Sequence, residues 1–135
     1  MQSTTPSAKA RWAGYILSGL VIAFFIFDGA IKLPPLDMVV QASKEFDIPV
    51  QFARTLGIIL LVCTAIYAIP QTAPLGAILL TAYLGGAVWT HVRIGSPLFS
   101  HILFGVYLGL MIWGGLWLRD TRVRALIPFR RQPSP

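Results

Sequence analysis

The sequence is poor in charged side chains and in the residues that usually carry catalytic or metal chemistry. Only 12% of its 135 residues are charged, whereas 56% are hydrophobic, and it contains two histidines and one cysteine. A soluble domain of this size exposes more charge and buries less apolar surface. The composition therefore excludes a small soluble domain and indicates a protein that folds in lipid.

The single cysteine, Cys63, restricts the chemistry further. One thiol forms no intramolecular disulfide and no C-x-x-C pair for thiol exchange. Two histidines without further thiols do not fill the four tetrahedral positions of a structural zinc site unless carboxylates join them. We therefore predict no metal site and no catalytic residues, and we interpret Cys63 as a small hydrophobic side chain.

Long apolar runs dominate what is present. Four of them, at residues 12–33, 50–69, 73–94 and 97–118, have about the 20 residues that an α-helix needs to cross the hydrocarbon layer. None shows the polar and apolar alternation of a membrane β-strand. We predict an all-α integral membrane protein, an antiparallel bundle of four transmembrane helices with short connections. The first run ends in FDGAIKLPP rather than in a small-x-small cleavage site, so we expect it in the mature protein.

The connections carry their own signals. LDMVVQASKEFDIP predicts a short interfacial helix capped by Asp37, with an apolar face formed by Val39, Val40 and Phe46. In IGSP, we expect Gly95 to end one helix and Ser96 to cap the next, with Pro97 in its first turn.

The net charge of +6 is distributed unevenly. With four spans the two termini share one side, and that side holds seven of the eleven basic residues: Lys9, Arg11, Arg119, Arg122, Arg124, Arg130 and Arg131. The positive-inside rule then places residues 1–11 and 119–135 in the cytoplasm as tails of a bundle at residues 12–118. The basic C-terminal tail is explained by contact with anionic lipid, so we predict no nucleic-acid partner.

Every span carries an ionisable side chain near its predicted outer end. Counting from the IGSP turn puts both histidines about 6 to 8 Å in from it, at nearly equal depth. We define these side chains as the polar belt and predict that they converge as a ligand-binding site: Asp28, Lys32, Arg54, His91 and His101.

Structural roles for these residues stay open. Asp28 is spaced i, i+4 from Lys32 and could instead pair with it or with Arg54, and each histidine could simply make an interfacial hydrogen bond. Arg93 is expected to extend toward lipid headgroups. Tyr83 and Tyr107 lie mid-span, where a hydroxyl needs an acceptor, and are weaker candidates for ligand binding.

Other residues indicate packing rather than binding. Small residues at steps of four predict close helix contacts, with one stripe in each of the last two spans: Ala77, Thr81 and Gly85, and Gly105 and Gly109. Aromatic side chains near the membrane boundaries predict interfacial belts. Trp89 lies near the predicted outer boundary, and four others lie near the inner one: Trp12, Tyr67, Trp113 and Trp117.

The stretch YAIPQTAPLGAILLTAYLGGAVWTHVRIGSPLFSHILFG, followed by LWLRDTRVRALIP, resembles the DoxX-like family of small four-helix bacterial membrane proteins. The resemblance covers residues 14–128, and FDGAIKL is similar to the family's SG-x-x-KL element with Asp28 in place of serine. Many relatives carry a glutamate where this chain has Leu60. The matching positions in the second half are Pro70, Gly76, Tyr83, Gly85, Gly86, His91, Arg93, Arg119, Asp120 and Pro128.

The resemblance implies a four-helix membrane protein of the bacterial inner membrane. The family's namesakes are linked to a thiosulfate:quinone oxidoreductase, and other relatives to membrane oxidoreductase assemblies. We therefore expect an accessory subunit or a binder of a quinone-like or isoprenoid lipid in a membrane redox or envelope pathway, without catalytic activity alone. A membrane oxidoreductase or a second copy of the chain is the expected protein partner. A membrane scaffold or assembly factor, or a small transporter, remain the alternatives.

Overall fold

A computed structural model describes residues 5–132, so the outermost parts of both predicted tails, residues 1–4 and 133–135, lie outside the described residues. The described chain is helical and contains no strand, as predicted for the fold class. Its elements are α1 (Ala8–Ala30), α2 (Asp37–Phe46), α3 (Gln51–Ala68), α4 (Ala73–Arg93), α5 (Phe104–Arg119) and α6 (Thr121–Leu126), with a π-helical turn, Leu98–Ile102, before α5.

Four helical segments of the described chain are long and apolar enough to cross a membrane: Ala8–Ala30, Gln51–Ala68, Ala73–Arg93 and Leu98–Arg119. They confirm the four predicted spans to within a few residues. The first begins earlier than predicted because the hydroxyl of Ser7 accepts a hydrogen bond from the backbone N–H of Ala10 at 3.1 Å and caps the helix. Such a cap satisfies one of the free N–H groups of the first turn.

The four long helices pack as a ring in which α1 and α4 each contact α3 and α5. The contacts between α1 and α5 occur in opposite order along the two helices. Gly14, early in α1, lies against Gly115, late in α5, whereas the ring of Phe24, later in α1, lies 5.4 Å from that of Phe104, at the start of α5. This is the order expected of antiparallel neighbours. The centre of the ring is filled by fully buried side chains from all four helices, among them Val21, Leu60, Tyr67, Leu80 and Ile112.

The closest helix contacts occur at glycines outside the predicted stripes. A β-carbon at Gly14 would lie 2.6 Å from the carbonyl oxygen of Gly115, and one at Gly76 would collide with the backbone of Tyr67. By contrast, a β-carbon at Gly85 or Gly109 would meet nothing within 4 Å. The prediction that both stripes mediate contacts within the bundle is therefore wrong for these two glycines, because the helix rotation turns them away from their neighbours.

Tyr67 is a core residue rather than part of an interfacial belt. Its side chain is 0% exposed. Its hydroxyl donates a hydrogen bond to the carbonyl oxygen of Ile112 and shares another with the hydroxyl of Ser18, both at 2.8 Å. The predicted interfacial position is wrong because these two partners, the carbonyl acceptor on α5 and the serine hydroxyl on α1, satisfy the Tyr67 hydroxyl inside the bundle.

The two ends of the bundle differ. At one end, called the α2 end, α2 and the connection between α4 and the fourth span lie beside the long helices. At the other, the α6 end, the start of α1 meets the end of α5, which α6 follows. The short helix predicted in LDMVVQASKEFDIP is confirmed, but Leu36 rather than Asp37 occupies its N-cap. Gly95 ends α4 with φ of 71°, as predicted, whereas Pro97 precedes a π-helical turn instead of lying in a first α-helical turn.

Candidate functional site

A cavity of about 510 Å³ lies at the α2 end of the bundle. Its wall is mainly apolar and is formed by α1, α2, α4 and the start of α5, with two residues from α3. The volume falls within the roughly 300 to 1,000 Å³ of pockets that hold small ligands. Four of the five polar-belt residues line it, namely Asp28, Lys32, His91 and His101.

Asp28, in the last turn of α1, forms an ion pair with Lys32, two residues beyond the end of the helix. The side chains retain 30% and 19% of their exposure, respectively, so the pair is partly sequestered from solvent. The i, i+4 spacing brings the two groups together on the helix surface. This pairing was one of the structural alternatives for Asp28, and it coexists with a position in the cavity wall.

The two histidines lie next to each other in the cavity wall. Their ring centroids are 5.7 Å apart, and the ring of Phe46 from α2 lies 4.9 Å from that of His91. Nδ1 of His91 shares a hydrogen bond with the hydroxyl of Ser96 at 3.0 Å, and Nδ1 of His101 shares one with that of Ser100 at 2.7 Å. Since Nδ1 is engaged in each ring, Nε2 is the nitrogen without a protein partner among the described residues.

Tyr83 also lines the cavity, from the middle of α4. Its side chain is partly buried, and its hydroxyl makes no hydrogen bond to any residue of the described chain. A hydroxyl in an apolar wall that lacks a protein acceptor favours a ligand or water as its partner. Its place in the cavity wall therefore makes Tyr83 a stronger candidate for ligand contact than its mid-span position in the sequence did.

Two predicted site residues lie outside the cavity wall. Arg54 is exposed and its Nε donates a hydrogen bond to the carbonyl oxygen of Leu33 at 3.1 Å, which ties α3 to the end of the first span. Tyr107 is 43% exposed and its hydroxyl donates to the carbonyl oxygen of Phe99 at 3.1 Å. The polar belt therefore does not converge completely, because the guanidinium of Arg54 is held by the backbone beside it.

Helix α2 forms part of the cavity wall, with a face that differs in part from the predicted one. Five of its residues line the cavity: Met38, Val39, Ala42, Ser43 and Phe46. The last four are spaced at i, i+3, i+4 and i+7, the pattern of one helix face. Val40, which was expected on this face, does not line the cavity. Arg93 donates a hydrogen bond to the carbonyl oxygen of Phe46 and so anchors α2 to α4, instead of extending to lipid headgroups as predicted.

Leu60 does not belong to the site. It is fully buried in the central core and is absent from the cavity wall, and its carbonyl oxygen accepts a hydrogen bond from the hydroxyl of Thr64 at 2.7 Å. The site at the α2 end is therefore built without an acid at this position. Among the described residues, no group of three or more His, Cys, Asp or Glu side chains is arranged to hold a metal ion.

Four apolar spans define a multi-pass membrane protein that lies in a lipid bilayer, and its cavity has a mainly apolar wall with a few polar side chains. A family model confirms the resemblance seen in the sequence. It is described as the DoxX-like family and matches residues 16–115, so the chain belongs to the DoxX-like family. No curated protein and no solved structure matches the chain.

Proposed function

We propose that the protein binds one amphipathic lipophile, a quinone-like or isoprenoid lipid, in the cavity at the α2 end. The observation that carries the proposal is the cavity itself, which combines a mainly apolar wall with polar side chains from α1, α2, α4 and the π-helical turn. Apolar residues such as Phe24, Phe104 and Leu108 suit a hydrocarbon tail. Hydrogen-bonding groups placed around an apolar pocket orient a ligand's polar head.

A quinone head fits the donors of this wall. Quinone carbonyl oxygens accept hydrogen bonds, and the wall offers the ammonium of Lys32, the free hydroxyl of Tyr83 and the ring nitrogens of two histidines. A bound quinone would supply the electron-accepting chemistry. The chain itself holds and orients the ligand, as in an accessory subunit of a membrane redox or envelope pathway, and leaves electron transfer to a membrane oxidoreductase partner.

The proposal also assigns an orientation. The α6 end carries the excess of arginine, and the positive-inside rule then favours both termini in the cytoplasm and the cavity toward the outer face of a bacterial inner membrane. A ligand in the cavity would exchange with the outer leaflet or with a partner there. Assembly as a homo-oligomer is compatible with this arrangement.

Two adjacent glycines provide a test with a matched control. Gly86 lines the cavity and Gly85 does not, and a β-carbon at either would meet nothing within 4 Å. A leucine at position 86 would therefore occupy ligand space, while a leucine at 85 would face outward. We expect Gly86→Leu to weaken binding of a short-chain ubiquinone analogue about tenfold or more, and Gly85→Leu to leave it within about twofold.

The measurement is a titration of purified full-length protein in lipid nanodiscs, together with mass identification of lipids that co-purify with it. A photoreactive quinone should label peptides from the cavity wall, including that of Leu84. Equal affinities for the two leucine variants, or no saturable binding below the concentration at which the probe partitions into lipid, would favour the scaffold alternative.

A further inference from the structure

We propose that Arg119, at the α6 end, binds a phosphate group carried by a lipid headgroup or free in solution. This site lies at the opposite end of the bundle from the cavity and does not depend on the proposed lipophile. The proposal starts from the side chain of Arg119, whose donors find no acceptor in the described chain.

Arg119 is the last residue of α5 and of the fourth span. Its Nε is buried and has no hydrogen-bond partner, and among residues 5–132 its guanidinium forms no ion pair. Its contacts are aromatic, because the guanidinium carbon lies 5.3 Å from the ring centroid of Tyr15 and 5.9 Å from that of Tyr67. The faces of the two rings attract the positive charge of the guanidinium, but they do not replace hydrogen-bond acceptors for its five N–H groups.

Two acceptors of this end, Oδ1 of Asp120 and the hydroxyl of Tyr67, are already engaged. The carboxylate of Asp120 accepts hydrogen bonds from the backbone N–H of Arg122 at 2.9 Å and from its Nε at 3.4 Å. The hydroxyl of Tyr67 is shared between Ser18 and Ile112. Buried donors without acceptors are costly, and an unmatched charged donor in a folded protein calls for an ion or ligand.

The charge around Arg119 selects an anion. Asp120 is the one acid in residues 1–27 and 104–135, against seven basic residues in the same segments. The neighbouring guanidinium of Arg124 is committed, since it donates to the carbonyl oxygens of Trp117 and Leu118 at 2.6 and 2.8 Å. Arg119 therefore provides a planar fork that is still available, and this geometry matches two phosphate oxygens.

The position along the span points to phosphate in particular. Arg119 ends the apolar segment Leu98–Arg119, so it lies at the depth where headgroup phosphates meet the hydrocarbon layer. The stacked ring of Tyr15 holds the guanidinium plane at that boundary. A rigid fork at the level of the headgroups loses little freedom when it binds a phosphate.

Arg122 supplies the matched control. It is three residues away, its side chain is 87% exposed, and replacing it with glutamine removes the same charge. The assay measures thermal stability of the full-length protein in neutral detergent during titration with dihexanoyl-phosphatidylglycerol, dihexanoylglycerol or inorganic phosphate. We expect saturable stabilisation by the phosphatidylglycerol and none by dihexanoylglycerol.

Arg119→Gln should weaken this response about tenfold or more, and Arg122→Gln by less than about twofold. Stabilisation by inorganic phosphate with the same dependence on Arg119 identifies the free ion as a ligand, whereas a response to the lipid alone identifies the headgroup. Unchanged affinity in Arg119→Gln, or equal losses in both variants, would overturn the site in favour of diffuse surface attraction.

Arg119→Lys keeps the charge and covers the case in which the glutamine variant does not fold. A single ammonium cannot reproduce the two-point contact, so we expect a several-fold weaker response from a variant with the wild-type circular dichroism spectrum and gel-filtration profile. Full affinity in the lysine variant would contradict a guanidinium fork as the binding group.

Discussion

The rings of His91 and His101 lie edge to face at 5.7 Å, with an angle of 64° between their planes, across the turn that joins α4 to the fourth span. Each ring shares a hydrogen bond with a nearby serine, His91 with Ser96 in the connection and His101 with Ser100 in the π-helical turn. The two histidines and the two serines thus form one small unit in the wall of the cavity. Nε2 of each histidine is the group available to a ligand.

Replacing either histidine tests that role. We expect His91→Ala and His101→Ala each to weaken ubiquinone-analogue binding several-fold, since one hydrogen bond contributes about 0.5 to 1.5 kcal/mol. The fold should be retained because the serine contacts are local. Arg54→Gln is the control: its side chain lies outside the cavity wall, so its affinity should match the wild type in the same nanodisc titration. A larger loss in Arg54→Gln than in the histidine variants would contradict the site.

The ion pair of α1 should contribute measurably to stability. Because Asp28 and Lys32 are partly sequestered, Asp28→Ala should lower the free energy of unfolding by about 1 to 3 kcal/mol, between the values for exposed and buried pairs. Arg122→Gln removes the exposed partner of Asp120 and should change it by less than about 0.5 kcal/mol. Unfolding in a mixed-detergent titration, followed by circular dichroism, measures both; equal changes would show that Asp28 is effectively exposed.

The buried hydroxyl of Tyr67 links three helices. Tyr67→Phe removes its hydrogen bonds to Ser18 and Ile112, and side-chain hydrogen bonds inside membrane proteins are worth about 0.6 kcal/mol on average and up to about 1.7. We expect a loss near the upper value because two hydrogen bonds are lost at once in the core. Tyr107→Phe, at an exposed hydroxyl, should leave the unfolding midpoint almost unchanged. Equal midpoints in the two variants would remove Tyr67 as a structural link.

The contact between α3 and α4 depends on the absence of a side chain at Gly76. A methyl group there would collide with the backbone of Tyr67, whereas one at Gly85 would meet open space. Gly76→Ala should therefore destabilise the fold by about 1 to 3 kcal/mol. Gly85→Ala should be neutral or slightly stabilising, because alanine is the better helix former by up to about 1 kcal/mol. Thermal unfolding of both variants in one detergent decides whether packing or helix propensity dominates.

The proposed orientation is tested by labelling from outside intact cells. Lys44 on α2 and Gln132 at the α6 end are both exposed, and Cys63 is buried, so single cysteines can replace either in a Cys63→Ala background. A membrane-impermeant maleimide should react with Lys44→Cys on intact cells and with Gln132→Cys only after the cells are broken. The reverse pattern would invert the topology and turn the cavity toward the cytoplasm.

Much of this architecture follows from local patterns. The lengths of the apolar runs predict four spans because a helix must satisfy its own backbone in lipid, and the spacing of Asp28 and Lys32 predicts a pair on α1. Glycine at position 95 predicts the end of α4, since φ there is positive. Each of these features depends on residues within a few positions of one another.

The tertiary structure alone decided how the helices turn toward one another. Rotation of each helix in the bundle puts Tyr67 in the core, Gly85 toward the outside and Arg54 beyond the reach of the cavity. It also brings α2 over the cavity and leaves Arg119 without an acceptor. In lipid the outward and inward faces of a span are similarly apolar, so the sequence specifies where a helix crosses the membrane but only weakly which face it buries.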